Sequence, residues 1–244
     1  MDAVRSLVIL RPADTHPADP PDATLLDLIG LESDGYRQAA AASAALLHAG
    51  HRLYLHTRLR QNLNARADLL ACYPSIDPPT DGDPPPPTIY GLSLTGITSL
   101  DQLRYAASLM EDLEDHTGAT PGLGAIGLWI DSARALHLAA DLAGASSRLT
   151  WIGIDTHALA GELGIATAAG ATLDHARSAV VLAAQAHDLP AVEGPPPRDD
   201  SADQTDITTN AERLRALGLR GHATWDPQTT AQFVAIFPDA LPAG

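Results

Sequence analysis

The sequence contains no lysine: all fifteen of its cations are arginine, in a chain of 244 residues. A Schiff base needs a lysine amine, so lysine-dependent aldolase chemistry and pyridoxal phosphate attachment are excluded. A phosphate-binding P-loop, which uses a lysine, is excluded with them. Cysteine is nearly absent. The single Cys72 can form neither an internal disulfide nor a cysteine-based zinc cluster. In LLACYP it reads as a buried thiol near a helix end. Positive charge is scarce: 30 acids against 15 arginines give a formal charge of −15. Such a surface repels nucleic acid and anionic membrane, so neither is expected as a partner. No apolar run approaches the roughly 20 residues that span a bilayer. MDAVRSLVIL does not read as a secretory signal, which makes the cytoplasm the expected compartment.

What is present is a repeating pattern. Short apolar runs at 5–10, 23–31, 51–58, 88–94, 124–130, 148–154, 190–194 and 222–225 read as strands. Helical patterns alternate with them at 34–50, 99–118, 132–143, 171–189, 205–221 and after 226. Ser99 and Gly118 are a start and stop for the helix between them. Such alternation argues for a parallel sheet with helical crossovers. Eight strands argue for a closed (β/α)8 TIM barrel, and the length suits one such domain over 1–244. Between the first two strands lies the proline-rich RPADTHPADPPD, so the first barrel helix is expected to be missing or reduced to a turn. The proline-rich 73–88 and the 195–204 stretch read as loops. The acidic run EDLED at 111–115 reads as a solvated helix face.

In such a barrel the chemistry sits at the carboxyl ends of the strands. Asp131 and Asp155 follow the strands GAIGLWI and LTWIGI, and Glu193 and Asp226 sit at the ends of the last two. Asp27 lies in strand two. Alternation puts Tyr54, His56 and Arg58 on one face of HRLYLHTR. Several acids at one mouth suggest a hard divalent cation such as Mg²⁺, held by one or two carboxylates plus water and substrate oxygens. Arg58 could grip a carboxylate in a fork. Each acid has a plainer reading as the cap of the next helix. His56 has one as a satisfied core histidine, and His157 as a helix-start residue.

The chain resembles the citrate lyase β-subunit-like group of the HpcH/HpaI aldolase superfamily. RSLVILRP is similar to its first strand, commonly RSLLFVPG. ATLLDLIGLE resembles AVILDLEDAV, and LWIDSARAL resembles LIETARAL. LDHARSAVVLAAQAHDLPAVEG is the closest match, to YARSRVVLAARAAGLPAIDG. The matches run in family order over nearly the whole chain. The resemblance implies a metal-dependent TIM barrel that cleaves or forms carbon–carbon bonds through an enolate-type intermediate. It implies a small carboxylate, 2-oxo acid or acyl-CoA substrate, and a homo-oligomer, trimer or hexamer. The family's Mg²⁺ ligands fall on Asp131 and Asp155; counting back from Leu163 and Gly164 points to His157 instead of Asp155. His56 and Arg58 become the catalytic candidates, and Arg11, Asp27, Glu193 and Asp226 the substrate-binding ones.

The chain departs from the family pattern at several of these places. A family arginine falls on His56, the metal-binding Glu is shortened to Asp131, and a Pro-Lys pair becomes Thr95-Gly96. The Mg²⁺ site is therefore either kept or lost. Two alternatives stand beside the lyase: a metal-independent barrel enzyme of a biosynthetic pathway using His/Asp acid–base chemistry, and a non-catalytic binding relative.

Overall fold

The computed structural model describes residues 4–14, 20–59, 65–73, 88–166, 168–196 and 207–237. Eight parallel strands close into a barrel in sequence order, with β1 pairing to both β2 and β8. The strands are β1 Ser6–Leu10, β2 Ala23–Asp27, β3 Leu53–Arg58, β4 Gly91–Thr95, β5 Ala125–Ile130, β6 Leu149–Ile154, β7 Ala191–Glu193 and β8 Gly221–Thr224. Around them run α1 Ser33–His48, α2 Ala65–Leu70, α3 Leu100–Thr117, α4 Ala133–His137 and α5 Ala139–Ala143. The ring continues with α6 Thr156–Leu163, α7 Ala171–Gln185, α8 Ile207–Ala216 and α9 Thr230–Ile236. The strands are buried on both faces, as parallel strands covered by helices must be.

The expected TIM barrel is present. Between β1 and β2 the described residues form only a turn, with the Asp14 N–H donating to the Arg11 carbonyl at 2.9 Å. Two readings need correction. The helix expected over 132–143 is two short helices broken at Leu138. Strand two ends at Asp27, because the chain turns through Gly30 at φ 79°. Most of the 73–88 and 195–204 stretches lies outside the described residues.

The apolar core has two shells. The larger lies between barrel and helices. The smaller fills the barrel itself and includes Leu7, Ile9, Leu25, Tyr54, Trp129, Trp151 and Val192. The two indoles meet edge to face, with ring centres 4.9 Å apart. Glycines make that possible. A Cβ on Gly127 would lie 1.9 Å from Trp151, and one on Gly153 would lie 2.3 Å from Trp129.

EDLED is not wholly solvated: Glu114 is buried. Its carboxylate accepts both Arg148 terminal nitrogens at 2.7 and 2.9 Å and the N–H groups of Gly122 and Gly124 at 2.9 and 2.6 Å. Burial pushes this carboxyl up, but the Arg148 and amide hydrogen bonds outweigh it and hold it below the usual range. The network ties α3 to the segments leading into β5 and β6.

Candidate active site at the carboxyl end of the barrel

Five of the expected residues share the barrel mouth. Asp27 pairs in register with His56 at the ends of β2 and β3. Arg58 ends β3, and Asp131 follows β5. Asp155 follows β6, and its N–H donates to the Ile130 carbonyl at 2.9 Å, which sets it beside Asp131.

Asp131 is buried and held by one oxygen only. Its Oδ2 accepts the Thr95 hydroxyl at 2.5 Å and the Gly96 N–H at 2.8 Å. Arg58 approaches the same oxygen at 3.7 Å, beyond hydrogen-bond reach. Gly96 sits at φ 73°, and a Cβ there would lie 3.1 Å from the Arg58 side chain. Glycine thus permits both the turn that aims this amide and the close passage of Arg58. The other oxygen, Oδ1, is buried with no hydrogen-bond partner among the described residues. Leaving a charged buried oxygen unpaired is costly, and such groups are rare enough to need a reason.

Asp155 does cap a helix: its Oδ1 accepts the Ala158 N–H at 2.9 Å. Its carboxyl is raised above the ordinary value, first by burial and further by the Asp131 charge, against the Ala158 hydrogen bond and His157. Burial likewise lowers His56, outweighing the charges of Asp27 and Asp131. His56 Nδ1 lies 2.9 Å from the Ser93 hydroxyl, and the Trp129 indole N–H donates to the same hydroxyl oxygen at 3.0 Å. Asp27 accepts the Ile29 N–H at 3.0 Å.

Three candidates remain, and one of them points away from the mouth. Glu193 faces outward from β7, into the helix layer. Arg177 of α7 donates to both its oxygens, at 2.9 and 2.8 Å, and the Thr156 hydroxyl donates to Oε1 at 2.5 Å. This carboxylate is fully engaged away from the mouth. Arg177 also reaches the Ala168 carbonyl at 3.0 Å and Asp174 at 2.9 Å, binding β7, α7 and the start of α6 together. Asp226 caps the 3-10 turn Pro227–Thr229 through the Gln228 N–H at 3.0 Å. The Arg11 side chain is exposed at the end of β1.

Among the described residues, no cluster of three or more His, Cys, Asp or Glu side chains could hold a metal. Zinc-like enclosure is therefore not built here. Mg²⁺ asks for less: one or two carboxylates, with water and substrate oxygens completing its shell. Asp131 Oδ1 and the adjacent Asp155 fit that donor set.

Ser93 and Trp129 escaped the sequence reading, and Thr95 and Gly96 entered it only as a departure from the family pattern. Counting back two residues from Asp131 reaches Trp129, and the same step from Thr95 reaches Ser93, so period-two spacing carried the signal.

No protein-family model matches the chain, and no curated protein matches it. Solved structures do. RipC from Yersinia pestis superposes with a TM-score of 0.71 at 19% identity, over 97% of this chain and 96% of that one. A citrate lyase β-subunit from M. tuberculosis, solved with oxaloacetate and magnesium, gives 0.62 at 18% identity, over 94% of each chain. Haloferax volcanii malate synthase, as a pyruvate/acetyl-CoA ternary complex, gives 0.71 at 16% identity, over 99% of this chain and 73% of that one. The resemblance read in the sequence is thus matched by the fold, which is the TIM barrel of citrate lyase β-subunit-like and malate synthase structures.

Proposed function

We propose that this chain is a divalent-metal-assisted carbon–carbon lyase or aldolase-like enzyme acting on a small carboxylate or acyl thioester. The observation that carries the reading is Asp131 Oδ1, a buried carboxylate oxygen left without a partner at the barrel mouth beside Asp155. Thr95 and Gly96 fix the other oxygen, so the open one is held in place. Solved neighbours with the same fold contain magnesium, oxaloacetate, pyruvate or acetyl-CoA, which supports the substrate class.

In this reading Asp131 and Asp155 hold the cation. When bound, it supplies positive charge that favours negative charge building on a substrate carbonyl oxygen. Arg58, with its side chain 55% exposed and its one ion pair among the described residues long, is free to take a substrate carboxylate. His56 presents its Nε2 edge to the carbonyl. Trp129 and Trp151 close the barrel beneath and keep water from below. In the cleaving direction the bond between the α and β carbons breaks. The β-hydroxyl gives its proton to water at the mouth and its carbon leaves as a new carbonyl, while the electron pair of the broken bond passes toward the substrate carbonyl as an enolate that then takes up a proton from water.

A second reading dispenses with metal and uses His56 and Asp155 for acid–base work. The raised Asp155 carboxyl favours it, because a group that holds its proton longer can donate it. Turnover of a panel of 2-oxo acids, β-hydroxy acids and acyl-CoA thioesters, with and without chelator, separates the readings. Metal-dependent cleavage or condensation supports the first. Activity that survives chelation and is lost in His56→Ala supports the second. No turnover of any member would leave a binding protein.

A further inference from the structure

The Ser93 hydroxyl is fully buried, and its two hydrogen-bond partners among the described residues are Trp129 and His56. An indole N–H can only donate. Trp129 therefore occupies one lone pair of the Ser93 oxygen, at 3.0 Å. The hydroxyl still has one proton to place, and the remaining neighbour is His56 Nδ1 at 2.9 Å. Were Nδ1 itself protonated, the Ser93 oxygen would receive two donors and its own proton would be buried with no acceptor. An unmade buried hydrogen bond carries its full desolvation cost. Nδ1 must then be the acceptor. A neutral imidazole that accepts at one nitrogen carries its proton on the other.

We propose that Ser93 and Trp129 fix neutral His56 as the Nε2–H tautomer, which makes it a hydrogen-bond donor toward a substrate oxygen at the barrel mouth. The ring meets the Ser93 side chain at Nδ1, the Ser93 main chain lies close to the imidazole as well, and the charges of Asp27, Asp131 and Arg58 surround it. A neutral imidazole does not give this proton away near pH 7. It donates a hydrogen bond to an oxygen that gains negative charge, which is an electrostatic role and not a base's role. Ser93 and Trp129 act through His56 and are positioning residues. The role of the donor rests on the carbon–carbon reading above; the tautomer does not.

The test is NMR of the ¹⁵N-histidine-labelled full chain without metal or substrate, at a pH where His56 is neutral. His56 is assigned by its loss in His56→Gln. The expected result is a pyridine-like Nδ1 and a pyrrole-like Nε2 resonance, with the Nε2–H form favoured about tenfold or more. In Ser93→Ala the hydroxyl donor is gone, and in Trp129→Phe the Ser93 oxygen is free to accept. Both variants are expected to shift the balance toward Nδ1–H. The wild-type spectrum decides even if neither variant folds. A wild type with Nδ1–H, its proton on the Ser93 main chain, would overturn the inference and leave the lyase reading standing. Nε2–H in a protein that turns over no oxo acid or thioester would do the opposite.

Discussion

Two carboxylates are buried at opposite ends of strand β5, and the protein treats them in opposite ways. Glu114 receives four hydrogen bonds, two from the Gly122 and Gly124 amides and two from Arg148, just before the strand begins. Asp131, just after the strand ends, has one oxygen fixed by Thr95 and Gly96 and the other bare. At the amino end every acceptor is used, which is the behaviour of a structural ion pair. At the carboxyl end one acceptor has no partner among the described residues, which is the feature on which the proposed site rests. The same contrast separates Glu193 from Asp155. Arg177 engages both oxygens of Glu193, whereas Asp155 takes main-chain amides of its helix start, Ala158 first, and has its carboxyl raised by burial and by Asp131. Satisfaction, more than position or residue type, distinguishes the acids that hold the barrel from those offered to a ligand.

The comparison breaks first, if it is to break, at Arg148. Arg148→Ala strands Glu114 as a buried unpaired carboxylate, and breaking such a pair costs about 3–5 kcal/mol. Denaturant melts should show a lowered midpoint and a much reduced yield of folded protein. A loss under about 1 kcal/mol would mean that the network carries no such weight.

Acid sharpens the same point. The Glu114 carboxyl is held below its ordinary value of 4.5 in the folded chain. Its contribution is therefore fully present above that value and is lost as pH falls through the lower folded value. Melting temperature should drop on acidification below about pH 4.5, with a smaller drop in Glu114→Gln. Equal drops in both proteins would assign the acid sensitivity elsewhere.

Asp131→Asn is expected to act the other way round. Asparagine keeps an oxygen for Thr95 and Gly96, so stability should change by about 1 kcal/mol or less. Activity on whichever panel substrate is turned over should fall by at least the roughly 10–100-fold that loss of a supporting contact costs a metal site. Large destabilisation with retained activity would reverse the contrast. The smallest effect on stability belongs to Arg58→Met. That side chain is mostly exposed and its 3.7 Å ion pair is too long to matter, so the melt should move by no more than about 0.5 kcal/mol. KM for a carboxylate substrate should rise, and an unchanged KM would remove Arg58 from substrate binding.

The strands were legible because parallel barrel strands are short apolar runs with glycine- and proline-marked ends. The gathering of Asp27, His56, Arg58, Asp131 and Asp155 was legible because a strand end in this architecture faces the mouth. Glu114 was not, because its burial depends on Arg148, 34 residues away, and on two loop amides. The outward turn of Glu193 was hidden because its strand has only three residues and gives no alternation to read. Trp129 lies in a strand that is apolar on both faces. Ser93 alternates with Leu92 and Leu94, so its face was readable, but its partners His56 and Trp129 lie 37 and 36 residues away. Asp131 and Asp155 could each be read as a helix cap. Asp155 is one, through Ala158, while the cap before α4 is Ser132, which accepts the Ala135 N–H at 3.2 Å.

The most direct test of the account is the melting temperature of the wild-type chain and of Asp131→Asn across a series of Mg²⁺ and Mn²⁺ concentrations. A cation that binds only the folded state stabilises it by about 2.7 kcal/mol at 100 times its Kd. The account predicts a concentration-dependent rise in the wild type that is abolished in Asp131→Asn. No rise with either ion, or an equal rise in both proteins, would contradict it.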